Sequence, residues 1–213
     1  MLRTPSTDLE ALSILERSTE KWLGDFGEAI WSRLLAASGW HYVSLAKICE
    51  GGAPLARSNH HKLILPDFDA YGDGRNVFVE CKTKTQSIVY RNKRQERHGI
   101  DQRNYNHYCE IQRVSGKDCC IAITELKRER IEDSQLEWSG SLLFERIRDL
   151  LDPRSEYEET PRKVYWRRKQ FRELVAGISP KELFQLANGS IQLQLPFTDI
   201  LFPMKQTGLF ALS

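Results

Sequence analysis

The chain has 213 residues, 40% of them hydrophobic and 28% charged, with a net charge of +2. Those values are ordinary for a soluble globular protein of one domain plus an extension, long enough to bury a proper core. They exclude a chain whose bulk charge alone announces a polyanionic partner. The five cysteines lack any Cys-x-x-Cys spacing, and His60, His61 and His98 have no partners at ligand spacing, so a zinc site is not expected. The cysteines read as reduced thiols of a cytoplasmic protein, with Cys119 and Cys120 in the core. Asp8 and Glu10 interrupt the N-terminal apolar residues, which argues against a signal peptide, and no apolar run approaches a membrane span.

In chain order, Thr7 and Asp8 cap a first helix through Leu9, Leu12 and Leu15. Trp22, Phe26, Ile30 and Leu34 then form the stripe of a second helix, from about residue 19 to 38, closed by Gly39. Glu28 lies at the edge of that stripe beside Trp31 and Leu35, where a carboxylate needs a partner. His41 to Ala46 reads as a strand, and residues 50–62 as a loop carrying Arg57, His60, His61 and Lys62.

Leu63 to Tyr71 and Asn76 to Lys84 read as two strands of a hairpin, joined by Gly72-Asp73-Gly74. Strand side chains alternate between faces, so Glu80 and Lys82 share one face. If the strands pair, Asp67, Glu80 and Lys82 converge at one end of a sheet. Two carboxylates and an amine there suit a hard divalent cation, Mg²⁺ or Mn²⁺, and a water. Asp69, two residues on and on the same face as Asp67, is the reserve ligand if the register differs.

Between Lys82 and Arg97 the sequence holds six Lys or Arg and one Glu, with Tyr90 inside the run. That composition, including Lys84, Arg91, Lys93 and Arg94, suits a groove tracking a phosphate backbone, or else a solvated loop. Residues 99–112 are helical by spacing, with Asp101 as a candidate cap. Lys117 to Thr124 fits a central strand buried on both faces. Residues 125–137 are charge-dense and expected to be solvated. Leu142, Leu143, Ile147, Leu150 and Leu151 mark a helix ended by Pro153, and residues 153–161 an acidic connector.

From Arg162 to Arg172 six Lys or Arg occur with no acid, interleaved with Tyr165, Trp166 and Phe171. This is either a DNA-backbone contact through Arg167 and Arg168 or a helix with aromatic core and wet arginines. Ser179-Pro180-Lys181-Glu182 starts a short helix that stops at Asn188-Gly189. Ile191 to Leu195 alternates as a half-buried strand.

Pro66-Asp67, a gap of twelve residues, and Glu80-Cys81-Lys82 together resemble the PD-(D/E)xK nuclease superfamily. The resemblance covers about residues 20–124. It implies a restriction-endonuclease-like α-β-β-α-β core, an α/β fold with a central mixed sheet flanked by helices. It also implies metal ligation by Asp67, Glu80 and the Cys81 carbonyl, with Lys82 orienting water or stabilising charge. Glu28, on the preceding helix, matches a glutamate that contacts a metal-bound water. Gln102, Tyr105 and Tyr108 match helix positions that face the scissile strand. Gln206, Leu209 and Phe210 resemble the short peptide by which bacterial replication and repair proteins bind the sliding clamp; a tail folded back on its own domain is the alternative.

The resulting expectation is a nuclease core over residues 1–152 and a mostly helical extension over 153–213. The activity expected is Mg²⁺-dependent hydrolysis of DNA, with endonucleolytic action favoured and a homodimer the form that two-strand cutting would favour. Two other readings stand beside it. One is a catalytically silent DNA-binding or assembly module of the same fold. The other is an enzyme acting on a smaller phosphate ester, which the two basic stretches disfavour.

Overall fold

The structure is a computed structural model that describes residues 4–48, 55–58, 61–85, 88–90, 95–130, 136–150, 157–159 and 162–195. Helix α1 (Asp8–Arg17) is capped by Thr7, whose hydroxyl accepts from the Glu10 amide. Helix α2 (Glu20–Ala37) is capped the same way by Thr19 and buries Phe26, Ile30, Trp31, Leu34 and Leu35. Strand β1 (His41–Ser44) leads into the single turn α3 (Leu45–Ile48).

The stretch expected as a loop forms a hairpin, β2 (Leu55–Ser58) and β3 (His61–Ile64), which makes its own two-stranded sheet. The strand expected over residues 63–71 is therefore divided. Pro66 has no N–H to give a ladder, and the chain passes from β3 through Leu65-Pro66-Asp67 into β4 (Phe68–Gly72). Strand β5 (Arg75–Lys84) follows a two-residue turn in which Asp73 (φ 51°) and Gly74 (φ 70°) are both left-handed. That backbone matches the twist of the flanking strands.

Next come β6 (Ile88–Tyr90), β7 (Gln95–Asp101) and α4 (Gln102–Ser115). The described residues of the basic run, read as a groove or else a solvated loop, lie in β5, β6 and β7, and α4 begins at Gln102 because Gly99 to Asp101 pair with Lys163 to Tyr165 as part of β7. Asp101 is the N-cap residue of α4 but makes no side-chain cap. Strand β8 (Asp118–Arg130) extends well past Thr124. The helix expected around residues 142–151 is instead β9 (Leu136–Arg146) followed by one turn, α5 (Ile147–Leu150). Leu142 and Phe144 face one core and Leu143 the other. A strand buried on both faces carries a continuous apolar run that mimics helical spacing.

The C-terminal part contributes strands β10 (Tyr157–Glu159), β11 (Lys163–Arg167) and β12 (Arg172–Ile178), a 3₁₀ turn at Arg168–Gln170, and α6 (Pro180–Asn188). So the described residues between 157 and 195 are not mostly helical, and the basic aromatic segment is a strand and a turn. Helix α6 starts on the capping box read from the sequence, with Glu182 reaching back to the Ser179 amide. Ile191 to Leu195 form no strand; Leu195 is buried and its amide donates to the Ser38 hydroxyl at 2.7 Å.

The main sheet runs β1-β4-β5-β8-β9-β12, with β5 and β8 parallel and the other neighbours antiparallel. The chain is thus an α/β fold with a mixed central sheet and flanking helices. On one face, α1, α2 and α6 cover Val77, Val79, Cys81, Cys120 and Ala122. On the other, α4 and a second sheet, β10-β11-β7-β6, cover Phe78, Cys119, Ile121 and Ile123. The order α2-β4-β5-α4-β8 lies inside this architecture.

One contact sets α2 against β5. A Cβ at Gly27 would stand 2.2 Å from the Thr83 hydroxyl, which itself donates to the Leu23 carbonyl at 2.7 Å. Gly27→Ala therefore lowers the unfolding free energy by roughly 1–2 kcal/mol, overpacking outweighing the gain in helix propensity. Thr83→Ala in the same chain restores most of the loss. Thermal melts of the single and double variants measure both.

A candidate active site at the end of the central hairpin

The β4–β5 register places Phe68 opposite Val79. One step further along the same ladder brings Asp67 beside Glu80, on the face that Glu80 shares with Lys82. Asp67 is held at both ends: its carbonyl accepts from the Leu45 amide at 2.9 Å and its Oδ2 from the Cys81 amide at 2.7 Å. Glu80 is only 2% exposed. Tyr108, on α4, donates its hydroxyl to Glu80 Oε2 at 2.5 Å, and Lys82 Nζ is ion-paired with Glu80 Oε1.

Glu28 reaches the same end of the sheet from α2, carried there by the Gly27–Thr83 contact. Its carboxyl is raised above the ordinary range, first by burial, then by Asp25 and Glu80, with Lys82 and Lys47 opposing. Asp67 is pushed up to about 8, first by burial and then by Glu80, against Lys82 and the Cys81 amide. Burial works to lower the Lys82 ammonium, but Glu80 and Asp67 outweigh it and hold it above the usual lysine range. Burial and Glu80 together keep the Tyr108 phenol well above its ordinary value, so it stays a donor.

The site thus gathers three acids, Glu28, Asp67 and Glu80, around one lysine. A further positive charge would relieve it. Among the described residues no group of three or more His, Cys, Asp or Glu side chains is placed to hold one metal ion. Two carboxylates with a backbone oxygen is a donor set that suits Mg²⁺, which keeps waters and substrate oxygens in its other positions. It does not suit a closed zinc site. Asp67 and Glu80, side by side, are oxygen donors of the kind a hard divalent cation takes together with waters.

Other residues singled out from the sequence stand elsewhere. Asp69 pairs with Lys117 at 2.9 Å, and that ammonium lies 4.7 Å from the Phe78 ring centre, so Asp69 is committed away from Glu80. Gln102 bonds Asn106 within α4. Tyr105 packs on Trp166 with ring centres 5.8 Å apart. Arg168 is bound to Glu125 at 2.7 Å and also to Glu173, and so is no free phosphate ligand. Arg167 lies opposite Arg97 in the second sheet, its amide donating to Gln170. Lys84 borders a cleft beside Lys82. Arg91, Lys93 and Arg94, and Gln206, Leu209 and Phe210, lie outside the described residues.

Two features escaped the sequence reading. Glu125, expected to be solvated, is 0% exposed and paired with His98 at 2.9 Å as well as with Arg168. Burial works to raise the Glu125 carboxyl, but His98 and Arg168 overcome it and hold it low. The network joins β8 to β7 and to the turn after β11, and so fixes the second sheet against the first. The position of Glu125 directly after Thr124, in the apolar run of β8, was the available signal. The second feature is the cleft itself, whose Lys163 and Tyr165 come from a segment far along the chain.

No model of a known protein family matches the chain, and no curated protein matches it. Among solved structures it is similar to Hjc, a Holliday junction resolvase from the archaeal hyperthermophile Archaeoglobus fulgidus. The TM-score is 0.43 at 13% identity, over 71% of this chain and 91% of that one. Likeness at that level transfers no activity. No helix among the described residues is long and apolar enough to cross a membrane.

Proposed function

We propose that this chain is a Mg²⁺-dependent deoxyribonuclease of the PD-(D/E)xK type, cutting phosphodiester bonds at the end of the β4–β5 hairpin. The observation that carries the reading is the convergence of Asp67, Glu80 and Lys82 at one sheet end, with Asp67 pushed up to about 8 by burial and by Glu80. Asp67 and Glu80 would hold the ion, with the Cys81 carbonyl as a third oxygen. When bound, Mg²⁺ neutralises phosphodiester charge and makes a water more acidic.

The chain's own groups do the rest. Tyr108 fixes one oxygen of Glu80, leaving the other to Lys82. The Cys81 amide fixes one oxygen of Asp67 and orients the second. Lys82 stays protonated and carries its charge to the phosphate oxygens or to the attacking water. Glu28, half-desolvated at the rim, orients a water for attack. DNA is the substrate proposed, in the cytoplasm; a homodimer and a clamp contact through Gln206, Leu209 and Phe210 belong to the same proposal.

One observation favours a second reading. Lys82 closes on Glu80 and leaves the acids off the cleft surface, as a silent DNA-binding module would. Cleavage of linear, nicked, branched and single-stranded DNA with Mg²⁺, Mn²⁺ or chelator separates the two. Cutting that needs the divalent ion and falls by about 10²-fold or more in Glu80→Gln is expected. Binding without cutting in every condition selects the silent module instead.

A further inference from the structure

A cleft of about 530 Å³ opens beside Lys82. One wall is the start of α2, with Glu20, Leu23 and Gly24; the other is the second sheet, with Arg97, Gly99, Lys163 and Tyr165. Its floor is the end of β5, with Lys82, Thr83 and Lys84. We propose that this cleft takes a single unpaired nucleic-acid strand, whose phosphates Lys84 and Lys163 hold and one of whose bases stacks on Tyr165. The proposal rests on the nuclease reading for its substrate class and extends it to the form of that substrate.

Three observations support it. First, size: the volume lies in the range of pockets for small molecules, about 300–1,000 Å³, which is room for a short length of one strand. Second, charge: Lys82, Lys84 and Lys163 face one space. Burial lowers the Lys84 ammonium below the usual lysine range, and Lys82 and Lys163 lower it further, against Asp101 and Glu20. Like cations gathered in a desolvated place are relieved by an anion that bridges them. Asp101 and Glu20 border the same space and offset part of that charge.

Third, an aromatic platform: Tyr165 is opposite Gly99 in the β7–β11 ladder, and a Cβ at Gly99 would stand 2.6 Å from its ring. The ring therefore packs over Gly99, where only a residue without a side chain leaves it room, and it borders the cleft. Cations with an interleaved aromatic are the composition by which proteins hold single strands without reading sequence.

Binding by the full chain in chelator isolates the cleft from any cutting. The probes are a labelled thymidine oligonucleotide of about a dozen nucleotides and a blunt duplex, each titrated over a range of salt. Lys84→Ala and Lys163→Ala are each expected to reduce the salt slope for the oligonucleotide by about 0.7. Tyr165→Leu, which keeps bulk over Gly99, is expected to weaken it about tenfold, and Tyr165→Phe to leave it unchanged. Arg113→Ala, a surface cation paired with Glu110 on α4, serves as the unaffected control. Oligonucleotide binding indifferent to Lys84→Ala, Lys163→Ala and Tyr165→Leu overturns the proposal, as does an equal loss on the blunt duplex. A chain that cuts DNA while ignoring these variants refutes only the cleft. A chain that binds as described but never cuts refutes only the nuclease.

Discussion

Lys82→Ala is expected to lower the rate of DNA cleavage by roughly 10²–10³-fold at saturating substrate, the usual effect of removing one group that stabilises developing charge. The reason lies in what surrounds the ammonium. Burial alone would make Lys82 easy to deprotonate, yet Glu80 and Asp67 hold its proton above the ordinary lysine range. The side chain is still 31% exposed and borders the cleft, so a charge stored beside Glu80 is within reach of a bound phosphate. Lys82→Arg keeps the charge but changes its shape, and should recover only part of the rate. Loss of the amine also leaves Glu80 and Asp67 less compensated, so melting curves must accompany the kinetics. Single-turnover rates within threefold of wild type for a folded Lys82→Ala chain would remove the amine from the chemistry.

The second large effect is on stability and concerns Asp67. Burial, with Glu80 beside it, pushes its carboxyl up to about 8 in the folded chain, against an ordinary 3.8. Below the unfolded value the acid is protonated in both states and imposes no penalty. As pH rises toward 8 the unfolded chain releases the proton while the folded chain keeps it. Stability therefore falls through that window and levels off above it. The loss is on the order of a few kcal/mol.

Asp67→Asn removes this dependence while its amide oxygen still accepts from Cys81. In chelator the variant should melt higher than wild type at pH 8 and about level with it near pH 4. Added Mg²⁺ should raise the melting temperature of wild type and not of Asp67→Asn, because only the wild type has a carboxylate for it to neutralise. Parallel pH profiles for the two chains, with equal responses to Mg²⁺, would show that Asp67 is not the strained acid of the site.

How much of this was legible beforehand differs from residue to residue. The β4–β5 turn could be read because Asp73-Gly74 between two β-rich runs has few other uses. Helices α1, α2 and α6 could be read from hydroxyl caps and a one-sided apolar stripe. Strand β9 could not, since Leu142, Leu143 and Phe144 face two different cores, and a doubly buried strand has no period to detect. Nor could the split at Pro66 be read. A run of apolar residues looks like one strand until the partners on either side of the proline turn out to lie in different sheets.

Asp67, Glu80 and Lys82 were visible as a spacing, and Glu28 as an acid in the wrong place on a helix. Arg168 was visible only as a charge; Glu173 is its near neighbour in the chain, but its commitment to Glu125 depends on a segment 43 residues away.

Local order in the chain determined the alternation that puts Glu80 and Lys82 on one face, the turn that folds β4 onto β5, and the caps that start the helices. These follow from backbone geometry within a few residues. Tertiary structure alone decided that β11 joins β7 rather than forming a helix, that Lys163 and Tyr165 stand across from Lys84, and that Glu125 is buried. Those outcomes depend on which surfaces exclude water from one another, and that is a property of segments brought together from distant parts of the chain.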